Sequence, residues 1–130
     1  MHDAPEGDPA APRCVGLYPT LAVPDVREAC DWYITCFGFE LRFLYGDPVT
    51  HGAVLFGAAC LHFWEGVPQP NANWIYFDVT DLEAIHTRAQ ARGVTIMKAP
   101  ADYPWGMREF NAVDLNGYNI RFGQHVDPQP

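Results

Sequence analysis

The sequence predicts an α+β fold, in which two βαβββ modules follow one another and form a curved mixed sheet around a concave cavity. A pattern that precedes a helix occurs twice, as Val23-Pro24-Asp25-Val26 and as Val79-Thr80-Asp81-Leu82. A glycine placed to end the helix follows in each copy, at Gly38 and at Gly93. Because each module has one helix to cover one face of its sheet, the other two faces stay open and can enclose a shared cavity.

The first module is predicted to span about residues 14–66. Alternating apolar residues in Val15–Val23 predict a strand, and Asp25 with Glu28 forms a capping box at the start of the helix. The apolar stripe of this helix consists of Val26, Ala29, Cys30 and Tyr33. The three strands that follow are predicted over Phe39–Tyr45, Thr50–Phe56 and Ala59–Glu65.

The second module, about residues 73–125, repeats this order. Asn73–Val79 predicts a strand, and Thr80 with Glu83 forms the second capping box. Ile75, Phe77 and Val79 share the buried face of the strand, and Leu82, Ile85 and Ala89 form the buried stripe of the helix. Val94–Lys98 and a terminal hairpin supply the last three strands.

The hairpin turns at Asp114-Leu115-Asn116-Gly117. Aspartate favours the first position of a type I turn, and glycine supplies the positive φ of a three-residue loop that closes with a bulge. A two-residue Asn-Gly turn would shift the register by one and reverse one strand. The bulged register is preferred because it places the bulky Phe110, Ala112, Ile120 and Phe122 on one face, with Glu109, Asn111, Val113, Asn119 and Arg121 on the other.

The composition describes one acidic domain of 130 residues with a net charge of −8. This charge makes nucleic acid and anionic membranes poor partners. It would suit a cationic ligand, but solubility alone also explains an acidic surface and is the preferred explanation. No apolar run approaches the roughly 18 residues of a membrane span.

The four cysteines lack metal-binding or redox spacing, which predicts reduced thiols in a cytoplasmic protein. Residues 1–13 and 126–130 are predicted to be disordered tails around a single domain at 14–125.

The candidate ligand-binding residues lie on the predicted open faces and in the loop before the hairpin. Trp105 is the strongest candidate, because a packing role is less natural for a tryptophan in a loop. Arg121 either binds an anionic group of the ligand or pairs with Glu109. Trp64 and Tyr76 either line the cavity or pack across a dimer interface. The full set is Tyr18, Thr20, His62, Trp64, Trp74, Tyr76, Trp105, Met107, Glu109, Asn111 and Arg121.

The two modules, with Val-x-Asp before each helix, Pro-Trp-Gly-x-Arg-Glu-Phe at 104–110 and Asp-x-Asn-Gly at 114–117, resemble the vicinal oxygen chelate superfamily. This superfamily contains glyoxalases, bleomycin-resistance proteins and dioxygenases. The resemblance covers about residues 15–124 and is greatest to the bleomycin-resistance branch. It implies a glyoxalase-like fold, a homodimer, and ligand contacts from Trp105 and from Asn73-Trp74.

The resemblance also implies four metal-ligand positions, which hold His or Gln, Glu, His and Glu in the enzymes of the superfamily. The matching residues here are Tyr18, His62, Trp74 and Arg121. Arginine has no lone pair to give, and tryptophan only donates a proton to a hydrogen bond. One histidine does not make a catalytic metal site, so neither a metal, another cofactor nor a catalytic residue is expected.

The resemblance therefore implies a non-catalytic binding protein that sequesters an aromatic, cationic drug or natural product, such as a peptide antibiotic, and so confers resistance. The alternative is a metal-dependent lyase, isomerase or dioxygenase of the same superfamily, with His51, His62, Glu65 and Glu109 as donors. A metal-independent enzyme that uses Tyr18 or His62 as acid or base also stays open, as does a relic of the fold with a structural role. The modules could pair within one chain or between two.

Overall fold

Two four-stranded sheets, each with one helix, make up the computed structural model, which describes residues 9–127. The first sheet contains β1 (Thr20–Val23), β2 (Glu40–Tyr45), β3 (His51–Phe56) and β4 (Ala59–Glu65), with helix α1 (Val26–Phe37). The second contains β5 (Ile75–Asp78), β6 (Thr95–Tyr103), β7 (Met107–Val113) and β8 (Asn119–His125), with helix α2 (Leu82–Ala91). The predicted α+β fold of two βαβββ modules is confirmed.

The two sheets have the same strand order, β1-β4-β3-β2 in the first and β5-β8-β7-β6 in the second. In each sheet the first strand runs parallel to the last, and the other neighbours are antiparallel. The parallel pair requires a crossover, which the helix of each module supplies. The sequence repeat is therefore a repeat of topology.

The helix boundaries follow from local capping. Asp25 is the N-cap of α1, and its side chain accepts a hydrogen bond from the Glu28 backbone N–H at 3.0 Å. Gly38 ends α1 with a φ of 77°, a conformation that glycine adopts without steric cost. The N-cap predicted for α2 is wrong by one residue, because Asp81 and not Thr80 accepts from the Ala84 N–H. Aspartate ranks above threonine as an N-cap.

Strand ends differ from the prediction where proline interrupts the pattern. β1 begins at Thr20 rather than Val15, since Pro19 accepts from the His62 N–H but has no N–H to extend the ladder. β6 continues to Tyr103 instead of ending at Lys98. It passes Pro100 with register shifts on the edge of the sheet, where proline is tolerated.

The hairpin between β7 and β8 confirms the predicted register. Phe110 pairs with Phe122, and Asn111 pairs with Arg121. The Gly117 N–H donates to the Asp114 carbonyl at 3.0 Å, and Gly117 has a φ of 89°. This is the three-residue loop with a left-handed glycine that places the polar face as expected.

The modules meet through a shared aromatic core and through buried polar contacts. Phe37 contacts Phe122 with ring centroids 4.9 Å apart. The Tyr33 hydroxyl of α1 donates to Asp114 Oδ2 in the hairpin turn at 2.6 Å. Both side chains are buried, and this burial raises the pKa of each. Arg88 of α2 donates to the carbonyls of Ile34 and Thr35 at the end of α1, which adds a further polar link between the modules.

All four cysteines are free thiols within the described residues. Cys30 and Cys60 are buried, as expected of small apolar residues, and burial raises the pKa of the Cys30 thiol to about 11.

No helix in residues 9–127 is long and apolar enough to cross a membrane. The predicted tails fall partly at 1–8 and 128–130, outside the described residues, and both the tails and the domain limits stay predictions.

Candidate ligand-binding site

Each sheet buries one face in the core and presents the other away from the helices. In the second sheet, Phe77, Phe122 and Phe110 lie in register on the buried face. Residues of the opposite parity, Tyr76 and Arg121, are paired across β5 and β8 on the other face. Strand alternation therefore places Tyr76, Arg121 and Asn111 together on the face of the second sheet that is opposite the core.

A cavity of about 350 Å³ opens where the two modules meet. It is lined by two tryptophans, by four carboxamide side chains and by small or apolar residues, and all of these are uncharged at neutral pH. The lining residues are Thr20, Leu21, Ala22, Trp64, Gln69, Asn71, Asn73, Trp74, Ile75, Tyr118 and Asn119. A volume near the lower end of the range for ligand sites suits a compact flat molecule.

The segment between the modules is held against the cavity by hydrogen bonds. The Tyr118 hydroxyl donates to the Ala22 carbonyl at 2.6 Å and accepts from the Gln69 N–H at 3.1 Å. The Asn119 side chain donates to the Asn71 carbonyl at 2.7 Å. One wall of the cavity is therefore the inter-module segment, fixed by residues of β8 and of the turn before it.

The carboxylate of Glu109 is the centre of a hydrogen-bonded group on the second sheet, here called the Glu109 network. Its Oε2 accepts from the Tyr76 hydroxyl at 2.6 Å and from Trp105 Nε1 at 3.3 Å. Its Oε1 lies 3.8 Å from Arg121 Nη1. Glu109 is only 4% exposed, because the larger side chains cover it. Burial, followed by the hydrogen bond to Glu109, raises the pKa of the Tyr76 hydroxyl.

Arg121 is held by three neighbours on the same face. Its Nε donates to Asn111 Oδ1 at 2.7 Å, and its guanidinium lies over the ring of Trp74 at 4.3 Å from the centroid. Together with the contact to Glu109, these interactions show that Arg121 is paired within the protein. The sequence left open whether Arg121 pairs with Glu109 or with a ligand. The structure shows the contact with Glu109, so only the N–H groups that these neighbours do not use remain for a ligand.

The charge of Arg121 changes what can stack on Trp74. A ring has two faces, and Arg121 covers one of them. A ligand cation on the other face would lie roughly 8 Å from the guanidinium, where like charges repel by about 2 kcal/mol at an effective dielectric constant near 20. A cation–π contact contributes about 0.5–2 kcal/mol. The repulsion from Arg121 is of similar size and offsets this gain, and screening by Glu109 and by salt reduces the repulsion.

The open face of the first sheet carries a different group of residues, here called the His62 cluster: Tyr18, Arg42, Phe43, Cys60 and His62. The rings of Tyr18 and His62 stack with centroids 4.8 Å apart, and Phe43 meets His62 edge-on at 5.5 Å. Arg42 donates to the Cys60 sulfur at 3.1 Å. His62 Nε2 is buried without a hydrogen-bond partner among residues 9–127. Burial and, to a lesser extent, Arg42 lower the pKa of His62.

Trp105 lies in the turn between β6 and β7 and is 62% exposed. Its ring stacks on Tyr103 with centroids 4.8 Å apart, and its indole nitrogen donates to Glu109. One face of the ring is therefore fixed by the protein while much of its surface stays accessible. Met107, in contrast, is buried at the start of β7 beside Gly123 and contributes packing rather than an exposed surface.

The residues at the four implied metal positions do not fit a metal ion. Trp74 and Arg121 are stacked on each other, and neither has a lone pair to coordinate a cation. Tyr18 stacks on His62, which leaves one imidazole nitrogen as the only suitable donor of the four. Within the described residues no three His, Cys, Asp or Glu side chains come close enough to hold a metal.

The structure divides the sequence-predicted residues among three places. Thr20, Trp64 and Trp74 line the cavity at the module junction. Tyr18 and His62 belong to the His62 cluster. The residues in or beside the Glu109 network are Tyr76, Trp105, Met107, Glu109, Asn111 and Arg121, and Trp74 joins this network to the cavity.

Sequence reasoning missed several residues as site components. Tyr118 and Leu21 line the cavity, and Arg42 with Phe43 completes the His62 cluster. A register shift between Leu41 and Phe43 breaks the alternation of β2, so no parity rule could place these side chains. The amides of the inter-module segment were a detectable sign, since three of them occur within five residues.

Residues 16–122 match the family model described as the glyoxalase/bleomycin resistance protein/dioxygenase superfamily. A search of curated protein sequences finds no match. The family match covers both modules and agrees with the observed topology.

Solved structures with this fold include TioX from Micromonospora sp. ML1, at 23% identity and a TM-score of 0.75, over 85% of this chain and 98% of that one. TnmS3, an antibiotic binding protein from Streptomyces sp. CB03234, matches at 25% identity and a TM-score of 0.70, over 84% and 93% of the two chains. A glyoxalase-related enzyme from Clostridium phytofermentans matches at 16% identity and a TM-score of 0.77, over 90% and 99%. The same fold therefore occurs in a binding protein and in a protein described as an enzyme.

Proposed function

We propose that this chain, which belongs to the glyoxalase/bleomycin resistance protein/dioxygenase superfamily, binds a flat aromatic antibiotic or natural product without chemically changing it. Sequestration of the compound would confer resistance on the cell. The observation that carries this proposal is the cavity at the module junction, with Trp64 and Trp74 in its wall. Its lining contains no charged group that could serve as a nucleophile, acid or base.

The Glu109 network supports binding rather than catalysis. A carboxylate that already accepts from Tyr76 and Trp105 is occupied in holding the aromatic side chains in fixed orientations. Rigid aromatic walls bind flat ligands with little loss of conformational entropy. The likeness to TnmS3, an antibiotic binding protein, favours the same class of function for this chain.

A homodimer is part of the proposal. β2 lies at the edge of the first sheet, and its Leu41, Phe43 and Tyr45 side chains are exposed. Met97 is exposed on β6, the edge strand of the second sheet. Exposed apolar side chains on edge strands favour pairing with a second copy. Sedimentation velocity at micromolar concentration should give the mass of a dimer, and a monomer would remove this part of the proposal.

The binding proposal is tested by tryptophan fluorescence during titration of metal-stripped protein with bleomycin-type and other flat aromatic antibiotics. Two of the four tryptophans line the cavity and a third belongs to the Glu109 network, so occupancy should give saturable quenching. Trp105→Ala should weaken binding about tenfold, since stacking on an accessible ring contributes roughly 1 kcal/mol or more. Its thermal stability should fall by less than that of Tyr76→Phe, because the Trp105 side chain is mostly exposed and its hydrogen bond to Glu109 is the longer of the two.

The control is Trp32→Phe, since Trp32 lies on α1 and packs against Tyr33 and Phe37 in the core, away from the cavity. Quenching should persist in this variant with unchanged affinity. A response that requires added divalent metal would contradict the proposal and favour the metal-dependent lyase, isomerase or dioxygenase. Unchanged affinity in the Trp105 variant would remove this residue from the site.

A further inference from the structure

We propose that the cavity selects flat aromatic ligands that carry an acidic oxygen, a carboxylate or an ionised phenol, and that it discriminates against cationic ligands. This inference rests on the proposed function and names the ligand class of the same site. It reverses the expectation from the net charge of −8, because the cavity lining is uncharged and a cation, Arg121, lies over one of its tryptophans.

The excess of acidic residues does not reach the cavity. All eleven residues of the lining are uncharged, so a cationic ligand meets no carboxylate there. The two carboxylates beside the site are both buried and already accept hydrogen bonds, Asp114 from Tyr33 and Tyr118 and Glu109 from Tyr76 and Trp105. A ligand cation would therefore lose its hydration without gaining a counter-charge, which is unfavourable.

Two ionisable side chains touch lining residues, and only the cation lies against a tryptophan: Asp114 accepts from the Tyr118 backbone N–H inside the hairpin turn, whereas Arg121 contacts Trp74. Arg121 lies over Trp74, which forms part of the cavity wall, and so occupies the position that a ligand cation would take on that ring. The remaining ring surface faces a fixed positive charge. An electron-rich or anionic ring is attracted to that charge through Trp74, whereas a second cation is repelled.

Arg121 also keeps hydrogen-bond donors for a ligand. Its Nε is used by Asn111, and its Nη1 faces Glu109 at a distance longer than a hydrogen bond. The structure records no hydrogen bond from Nη2 to any residue in 9–127. The side chain is 25% exposed, and its neighbours hold the guanidinium plane in place. Arg121 itself is not part of the cavity lining, so its charge acts on a stacked ligand across Trp74, and these N–H groups serve an acidic oxygen that extends past the edge of that ring.

The carboxamides of the cavity suit an acidic or neutral ligand equally well. The Asn71 side-chain oxygen accepts from the Asn73 N–H, which leaves the amide N–H groups of Asn71 unassigned. Asn73 and Gln69 also line the cavity. These groups can donate to carbonyl or hydroxyl oxygens on the ligand, while Arg121 decides the sign of the charge that is accepted.

The test is a series of three ligands with one ring system: anthracene-2-carboxylate, anthracene-2-carboxamide and 2-(aminomethyl)anthracene, which is an ammonium ion at pH 7. Binding is followed by the anisotropy of anthracene fluorescence, excited beyond the absorption of tryptophan. The carboxylate should bind at least about tenfold more tightly than the carboxamide, and the ammonium compound should bind more weakly than both. Raising the salt concentration should reduce the advantage of the carboxylate.

Two variants assign the preference to Arg121. The double variant Glu109→Gln with Arg121→Met removes both charges and keeps an acceptor for Tyr76 and Trp105, so the three affinities should converge to within about threefold. Arg108→Met is the matched control, because Arg108 also lies in the second sheet but pairs with Glu83 and Asp102. It should keep the full preference for the carboxylate.

The outcomes separate the two proposals. Equal affinities for the three compounds, or tightest binding of the ammonium compound, would overturn the charge selection and leave aromatic binding standing. No binding of any of the three by the unmodified protein would overturn the charge selection together with the proposed function. A preference that survives in the double variant would overturn the role of Arg121. The comparison in the unmodified protein holds even if a variant does not fold.

Discussion

Hydrogen bonds hold the open face of the second sheet, whereas ring contacts hold most of the open face of the first. In the Glu109 network, one carboxylate accepts from Tyr76 and Trp105 and contacts Arg121. In the His62 cluster, Tyr18 stacks on a histidine whose Nε2 is buried and has no partner among the described residues. The two faces have the same strand order, so the difference lies in the side chains alone.

The difference shows how a duplicated topology can divide recognition between its copies. Directed hydrogen bonds to a buried carboxylate fix the orientation of each donor, and a fixed orientation discriminates among ligands. Stacked rings without such bonds can shift at little cost, and they accommodate different shapes. We therefore expect changes in the Glu109 network to affect both stability and selectivity, and changes in the His62 cluster to affect them less.

Removing the centre of the network should have the largest effect. Glu109→Ala leaves Tyr76 and Trp105 without their acceptor and Arg121 without its counter-charge, and we expect a loss of about 2–3 kcal/mol in the free energy of unfolding. Urea denaturation measures this loss. Glu109→Gln, which keeps an acceptor oxygen, should cost clearly less. A loss below about 0.5 kcal/mol for the alanine variant would mean that the network does not hold the face together.

Two tyrosines give a direct comparison of the faces. Tyr76→Phe removes the donor to the buried Glu109 carboxylate and should destabilise the protein by about 1–2 kcal/mol. Tyr18→Phe keeps the ring that contacts His62 and Arg42, and it should change stability by less than about 0.5 kcal/mol. Thermal unfolding of the two variants under one condition tests the ranking. Equal losses would contradict the division into a bonded and a stacked face.

The smallest effect on the free energy of unfolding is expected from the titration of His62. The pKa of His62 in the folded protein is lowered, first by burial and then by Arg42. Between this lowered pKa and the unfolded value near pH 6.5, the native state therefore binds fewer protons than the unfolded state. The stability that neutral His62 contributes is therefore complete above pH 6.5 and is lost as the pH falls through the unfolded value toward the folded one. Arg42→Met should raise the pKa of His62 partway, because burial remains.

Proton NMR of the imidazole ring, assigned with a His62→Gln variant, measures this pKa in both proteins. An unchanged or lower pKa in the Arg42 variant would show that the guanidinium does not act on His62. The free energy of unfolding at pH 5 and pH 8 should show a smaller difference in the variant than in the unmodified protein.

Local patterns predicted the elements because their causes are local. The Asp25 cap, the Gly38 stop and the turn at Gly117 each depend on residues within about one turn of chain, and all three are confirmed. The early start given to β1 and the early end given to β6 were wrong. Both errors arose at prolines, whose effect depends on which neighbouring strand would have used the missing N–H.

Sequence by itself determined the two modules, their order of strands and helices, the parity of the strands without register shifts and the lack of metal donors at Trp74 and Arg121. These follow from periodicity, turn chemistry and the valence of the side chains. Only the tertiary structure decided that Arg121 stacks on Trp74, that Glu109 is buried among donors, and that the cavity lies at the junction of the modules. Such partners come from distant strands and depend on how the sheets pack, which no local pattern encodes.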